Sequence, residues 1–305
     1  MASTPPACGA LDKSVRDAPL LEIASGAYEV GLTPSGGGVA YLRFQGVDVL
    51  RPAGESRDGP LGLSSFPLVP YANRIAHGQF TWGGRSVSLA PNFGDHPHCL
   101  HGDGWLAPWT AAQAGADLAI LDLDREGGDW PWAYSARQTV QADREGVTFE
   151  LELLNRAESA MPAGLGFHPY FPDRSDARLT ANVESVWLAS EDGLPTTAAA
   201  ADTFGDWASG APLRSTALID HCHAGWAGLA AIVLPRQGLM VRMTASANLG
   251  YLHIYSPPGE DFFCVEPVSH RPDALNALDP IMQGVAALLP GARLRATMRL
   301  QVSTL

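Results

Sequence analysis

The sequence predicts an all-β protein, a large antiparallel β-sandwich or barrel, and three observations carry that expectation. Apolar and polar residues alternate with period two wherever a period can be read, turn residues interrupt the chain from end to end, and helical spacing is nearly absent. Glycine and proline number 32 and 24 among 305 residues, an excess that means many turns but stays below the ~25–30% of low-complexity sequence. With 46% hydrophobic and 17% charged residues, the chain can bury a sizeable core.

The strand signals follow in chain order. Phe80-Thr81-Trp82 and Arg85 to Leu89 flank Gly83-Gly84, a pair able to take the positive φ angles of a tight hairpin. Asp143 to Gly146 similarly joins Ala136–Ala142 to Val147–Leu154, where Val147, Phe149, Leu151 and Leu153 alternate with polar residues. At the C-terminus Leu294, Ala296, Met298, Leu300 and Val302 alternate with polar partners, as a strand with one wet face requires. Ile281 to Leu289, between Asp279-Pro280 and Pro290-Gly291, is the one weak helix candidate, and a strand or loop fits it nearly as well. No βαβ alternation, fixed-period repeat or linker tract appears. The turn-rich stretches Arg51 to Asn73 and Thr196 to Arg214 are expected to form site loops.

Composition excludes several functions. The formal charge of -12, from 20 basic and 32 acidic residues, gives no attraction to phosphate backbones or anionic lipids, so no nucleic-acid partner is expected. Apolar runs such as Leu229 to Leu234 fall far short of the roughly 20 residues that span a bilayer, so no membrane partner is expected either. The first residues lack a signal-peptide profile. The cysteines Cys8, Cys99, Cys222 and Cys264 form no CxxC and no staple framework, which reads as a cytoplasmic protein.

Candidate chemistry gathers at a few places. Asp95-His96-Pro97-His98-Cys99-Leu100-His101 and Asp220-His221-Cys222-His223 are dense in possible metal ligands. Neither carries HExxH, paired CxxC or a suitably spaced glutamate, so no metal is expected, and His96, His98, His221 and His223 read as surface or loop residues. His168 and Glu266 each precede a proline, which holds them extended among apolar and aromatic neighbours. A carboxylate so placed is expensive to bury unless paired or functional. Arg74 offers a planar fork of donors for a hydroxyl, carbonyl or carboxylate, or a loop-anchoring salt bridge.

Taken in order, these segments resemble the aldose 1-epimerase (mutarotase) family. The match runs through Pro70-Tyr71-Ala72-Asn73-Arg74-Ile75, Cys99-Leu100-His101-Gly102, Asn155, Gly166-Phe167-His168-Pro169-Tyr170-Phe171, Leu218-Ile219-Asp220 and Val265-Glu266-Pro267, about residues 30 to 300. The resemblance implies a galactose mutarotase-like β-sandwich with few short helices, spanning 1–305 as one domain, with the first ~20 residues a flexible or edge segment. It implies an isomerase that needs no cofactor and takes a monosaccharide, as a monomer or homodimer. Glu266 matches the general base at the anomeric hydroxyl and His168 the general acid at the ring oxygen. Arg74, His101 and Asp220 match residues that hold the sugar, with Asn73 beside them. Trp105, Tyr71 and Tyr170 are expected to stack on sugar faces. The pairing of His168 with Glu266 is expected to raise the histidine pKa. Alternatives are a hexose 6-phosphate epimerase, with Arg51, Arg57 and Arg271 as phosphate ligands, and a non-catalytic carbohydrate-binding protein. The loop Gly102-Asp103-Gly104-Trp105 departs from the family pattern, and galactose specificity is not carried over.

Overall fold

The structure is a computed structural model that describes residues 19–54 and 59–305. Cys8 and Arg57 lie outside the described residues. The protein is all-β, and its helical segments among the described residues are short 3-10 turns.

Two large antiparallel sheets build it. One has nine strands, with Val147–Asn155 beside Arg293–Thr304 at its centre. The other has eight, and its middle is Ile219–Ala224, Tyr251–Ser256 and Phe262–Val268. A four-stranded sheet from Leu21–Ser25 to Val47–Asp48 precedes them. Alternation decides which side chains meet. Phe149 and Leu151 of the first sheet and Phe167, Phe171, Phe263 and Val265 of the second are buried in one core, where the Phe149 and Phe167 rings lie 6.5 Å apart. Emptying such a site has a large effect, so Phe149→Ala would lose about 3–5 kcal/mol.

The turn chemistry behaves as the sequence requires. Gly83 and Gly84 take φ of 55° and 78° and pair Trp82 with Arg85. Asp143 Oδ1 accepts from the amides of Glu145 and Gly146, closing the hairpin that pairs Ala142 with Val147. The weak helix candidate resolves as a 3-10 turn, Ile281–Gln283, followed by the strand Ala286–Leu288 against Met161–Ala163. Thr196 to Arg214 departs from expectation. Its beginning is the edge strand Pro195–Ala200, and a 3-10 turn at Trp207–Ser209 plugs the core with Trp207.

The site follows from the second face of the eight-stranded sheet. Since Phe263, Val265, Leu252 and Ile254 point into the core, their neighbours Cys264, Glu266, His253 and Tyr255 point the other way. Register places Cys222, His253 and Glu266 in one cross-strand row and Asp220, Tyr255, Cys264 and Tyr170 in the next.

Candidate active site

A cavity of about 820 Å³ opens over those two rows. That volume lies in the range of small-molecule sites. Its floor holds Glu266, His253, Asp220, His168 and Tyr170, and its walls bring Arg74, Asn73 and His101 from the loops of the chain's first third.

Asn73 and His101 are locked together. Both take left-handed φ, 57° and 59°, a conformation that non-glycine residues rarely adopt and that clusters at functional sites. The His101 amide donates to the Asn73 carbonyl at 2.9 Å, and the Asn73 amide donates to His101 Nδ1 at 3.1 Å. Because Nδ1 accepts, the ring proton sits on Nε2. Burial, with the nearby His168, holds His101 well below the usual histidine value, so it is neutral. Gly102 follows for a steric reason: its φ is 74°, and a Cβ would stand 2.1 Å from the Val69 carbonyl oxygen.

Arg74 is both a salt bridge and a cavity residue. One terminal nitrogen donates to Asp220 Oδ2 at 3.1 Å and the other to Asn73 Oδ1 at 3.2 Å, while Nε has no partner. The second oxygen of Asp220 accepts from His253 Nε2 at 2.7 Å. Burial works against the charge on Asp220, but His253 and Arg74 outweigh it and hold its pKa well below the carboxylate range. Burial likewise opposes charge on His253, yet Asp220, Cys222 and Glu266 push its pKa up to about 10. Asn73 Nδ2 faces His253 Nδ1 at 3.4 Å. That contact is too long to outweigh a carboxylate at 2.7 Å.

His168 and Glu266 meet across the site, with Nε2 3.4 Å from Oε1. Both are buried, at 7% and 1% exposure, and each keeps an atom without a partner, His168 Nδ1 and Glu266 Oε2. The imidazole lies between Phe66, 4.6 Å away, and Tyr170, stacked at 4.8 Å. The expected rise in the His168 pKa does not occur. Burial pushes it down to about 3, with the charge of His253 adding to the effect. Burial also pushes Glu266 up to about 7, partly offset by His253. At 3.4 Å the pair is too far apart for a short charge-assisted bond to overcome the loss of water.

Four residues stand elsewhere than the sequence suggested. Trp105 is fully buried beneath the cavity wall, stacked on Phe66 and donating to the Gly102 carbonyl, so it presents no face to a sugar. Tyr71 packs on Trp130 in the core. His98 and His223, read as surface residues, are wholly buried: His98 contacts Asp192 and His223 accepts from the Trp207 indole. His96 and His221 do line the cavity. Sequence reasoning missed His253, whose only signal was an ionisable residue between Leu252 and Ile254 in an alternating strand. It also missed the wall residues Ala189 to Gly193.

His168, Cys264 and Glu266 place their ligand atoms within 4.8 Å of one another, the one such triplet among the described residues. An ion held there would occupy both groups that proton transfer at this site would use. Of the arginines considered for phosphate, Arg51 reaches the cavity and Arg271 does not. Arg271 lies over Trp187 and donates to Gln283 and to the Pro272 carbonyl.

Comparison with known proteins agrees with this architecture. The family model described as Aldose 1-epimerase matches residues 19–301. The uncharacterised Escherichia coli K12 protein YphB is 31% identical over 297 residues, covering 93% of this chain and 98% of that one. A crystal structure of an Escherichia coli K12 protein assigned as a candidate aldose 1-epimerase superposes with a TM-score of 0.86 at 29% identity, over 94% of this chain and 99% of its own. A galactose mutarotase-like protein from Clostridium acetobutylicum shares the fold, with a TM-score of 0.82 at 21% identity over 93% and 95% of the two chains.

Proposed function

Because the chain belongs to the aldose 1-epimerase family, we propose that it interconverts the α and β anomers of a free aldose by acid–base ring opening and closure. The observation that carries this reading is the His168–Glu266 pair, 3.4 Å apart and buried, with unpartnered Nδ1 and Oε2, in a cavity with ample room for a monosaccharide. Buried polar atoms without partners are rare, and here two belong to side chains that line one cavity, where sugar hydroxyls can bond them.

Glu266 takes the proton of the anomeric hydroxyl while His168 delivers one to the ring oxygen. The C1–O5 bond breaks as the C1 carbonyl forms, the C1–C2 bond rotates, and closure on the other face returns both protons. The cycle conserves one proton on the pair. In the empty site that proton rests on Glu266, since burial favours a neutral carboxyl and a neutral imidazole. The polar sugar restores part of the lost solvation and lets the pair take its charged form, carboxylate and imidazolium. Arg74, His101 and Asp220 bind the hydroxyls and hold the ring, with Asn73 setting the positions of Arg74 and His101. Cys99, Cys222 and Cys264 are buried free thiols, which suits a cytoplasmic setting.

Polarimetry or proton NMR of freshly dissolved α-glucose, α-galactose, α-xylose, α-arabinose and α-fucose tests the proposal. At least one should equilibrate faster with protein than without. No acceleration for any of them overturns the reading, and sugar binding without acceleration makes the protein a carbohydrate binder.

A further inference from the structure

We propose that the turn Ser190 to Gly193, clasped to the loop before Cys99 by the Asp192–His98 contact, positions Arg74 and sets which sugars the cavity accepts. The proposal rests on the mutarotase reading of the same cavity. It gives His98 of the His96–His98 cluster a role.

The clasp has a defined polarity. His98 is fully buried, and its Nδ1 accepts from the His77 amide at 3.1 Å, which leaves the ring proton on Nε2. Nε2 therefore donates to Asp192 Oδ2 at 3.0 Å. The other oxygen of Asp192 accepts from the Ser190 hydroxyl at 2.5 Å, and Ser190 Oγ in turn accepts from the Leu194 amide at 3.1 Å. One carboxylate thus ties the inside of the turn to a histidine 94 positions away in sequence.

What the clasp holds is a wall. The turn joins Ser185–Ala189 to Pro195–Ala200, and the latter is the outermost strand of its sheet, so no further strand supports the tip. Ser190 to Gly193 nonetheless line the cavity. Gly193 has φ of 82°, and a Cβ there would stand 2.4 Å from Arg74 Cζ, so the turn's backbone lies against the guanidinium. Asp220 and Asn73 hold the same guanidinium by its two terminal nitrogens. Arg74 is therefore fixed by the turn as well as by its hydrogen bonds. Asp192 is 44% exposed, and such contacts add at most about 1 kcal/mol of stability. The contribution of the clasp is placement.

Asp192→Ala removes the acceptor, whereas Asp192→Asn keeps a carbonyl oxygen that His98 Nε2–H can reach. Asp192→Ala should raise KM for the best aldose roughly tenfold, leave kcat within about twofold, and change the ranking of kcat/KM across the aldoses. Hydrogen–deuterium exchange at the amides of residues 190–194 should speed up. Asp192→Asn should bring all of these back toward wild type. Wild-type KM, ranking and exchange in Asp192→Ala would overturn the proposal, as would an Asp192→Asn variant no better than Asp192→Ala. A wild-type protein that turns over no aldose overturns the mutarotase reading instead, and the exchange measurement still decides the clasp.

Discussion

His168 Nε2 stands 3.4 Å from Glu266 Oε1, and the two side chains reach that position from one sheet, His168 from the link between two short strands and Glu266 from the strand they both pair with. His168 follows Gly166–Phe167 and precedes Tyr170–Pro172, while Glu266 lies in Phe262–Val268, against which both short strands pair. Backbone register therefore fixes where the two side chains start from.

Glu266→Gln and His168→Gln should each depress kcat by about 10²- to 10⁴-fold, the range for loss of one acid–base group. Glu266→Gln preserves shape closely, His168→Gln keeps a polar side chain while giving up the ring contacts with Phe66 and Tyr170, and far-ultraviolet circular dichroism should be unchanged in both. Near-normal turnover in a folded variant would show that the proton passes through another group.

The pH profile should be a bell. The working pair carries one proton, so kcat/KM is maximal between the apparent values of about 3 and about 7. Above about 7 the pair loses its last proton and the ring oxygen has no donor, so kcat/KM falls tenfold per pH unit. Below about 3 both groups are protonated and no base remains. A kcat/KM that instead rises through pH 7 to 9 would contradict this proton count.

Much of the fold was legible because alternation and turn chemistry are local. Val147 to Leu153, Gly83-Gly84 and the last strand all fold as their own residues dictate. The family motifs likewise led to Arg74, His101, His168, Asp220 and Glu266, which line one cavity although spread over the chain. Burial at the site was not legible. Trp105 and His98 sit in loop-like sequence, and only tertiary packing of Phe66 and the Asp192 turn decides that both are covered. His253 was hidden for the opposite reason, since a strand with apolar neighbours gives no sign of which face it turns to a cavity. The pKa order of the acid–base pair also needed the structure, because it depends on how completely water is excluded.

His253→Gln probes the hidden member. Losing the bond to a buried carboxylate should lower stability by about 1.5–3 kcal/mol near neutral pH. The folded-state pKa of His253 is raised to about 10, so its contribution is fully present below the unfolded value of roughly 6.5 and is lost as pH rises through about 10. The stability difference between wild type and variant, read from denaturant titrations, should therefore shrink steadily from pH 6.5 to 10. Since His253 also lowers the Glu266 pKa, the alkaline limb of the activity profile should move upward in the variant. A constant difference across that range would mean that the His253–Asp220 contact carries no ionic component.

Free aldoses should be preferred over their 6-phosphates. The cavity is lined by the carboxylates of Glu191, Asp192, Asp220 and Glu260, with Glu266 holding its proton, against Arg51, Arg74 and the cationic His253, and all three cations are committed, His253 to Asp220. Arg51 donates to the carbonyls of Leu61 and Leu63 at 2.6 and 2.9 Å, and its guanidinium lies over the rings of Tyr170 and Phe262 at 4.1 and 4.6 Å. Arg74 is held by Asp220 and Asn73. A phosphate would enter a site whose surplus charge has its own sign. Two like charges roughly 8 Å apart at an effective dielectric of ~20 repel by about 2 kcal/mol, or ~30-fold in kcat/KM. Glucose 6-phosphate should thus be worse than glucose by about that factor, and added salt should narrow the gap by screening the exposed carboxylates. Equal or better turnover of the phosphate would mean that Arg51 leaves its carbonyl partners to bind it, and Arg51→Met would then abolish the phosphate reaction while sparing the free sugar.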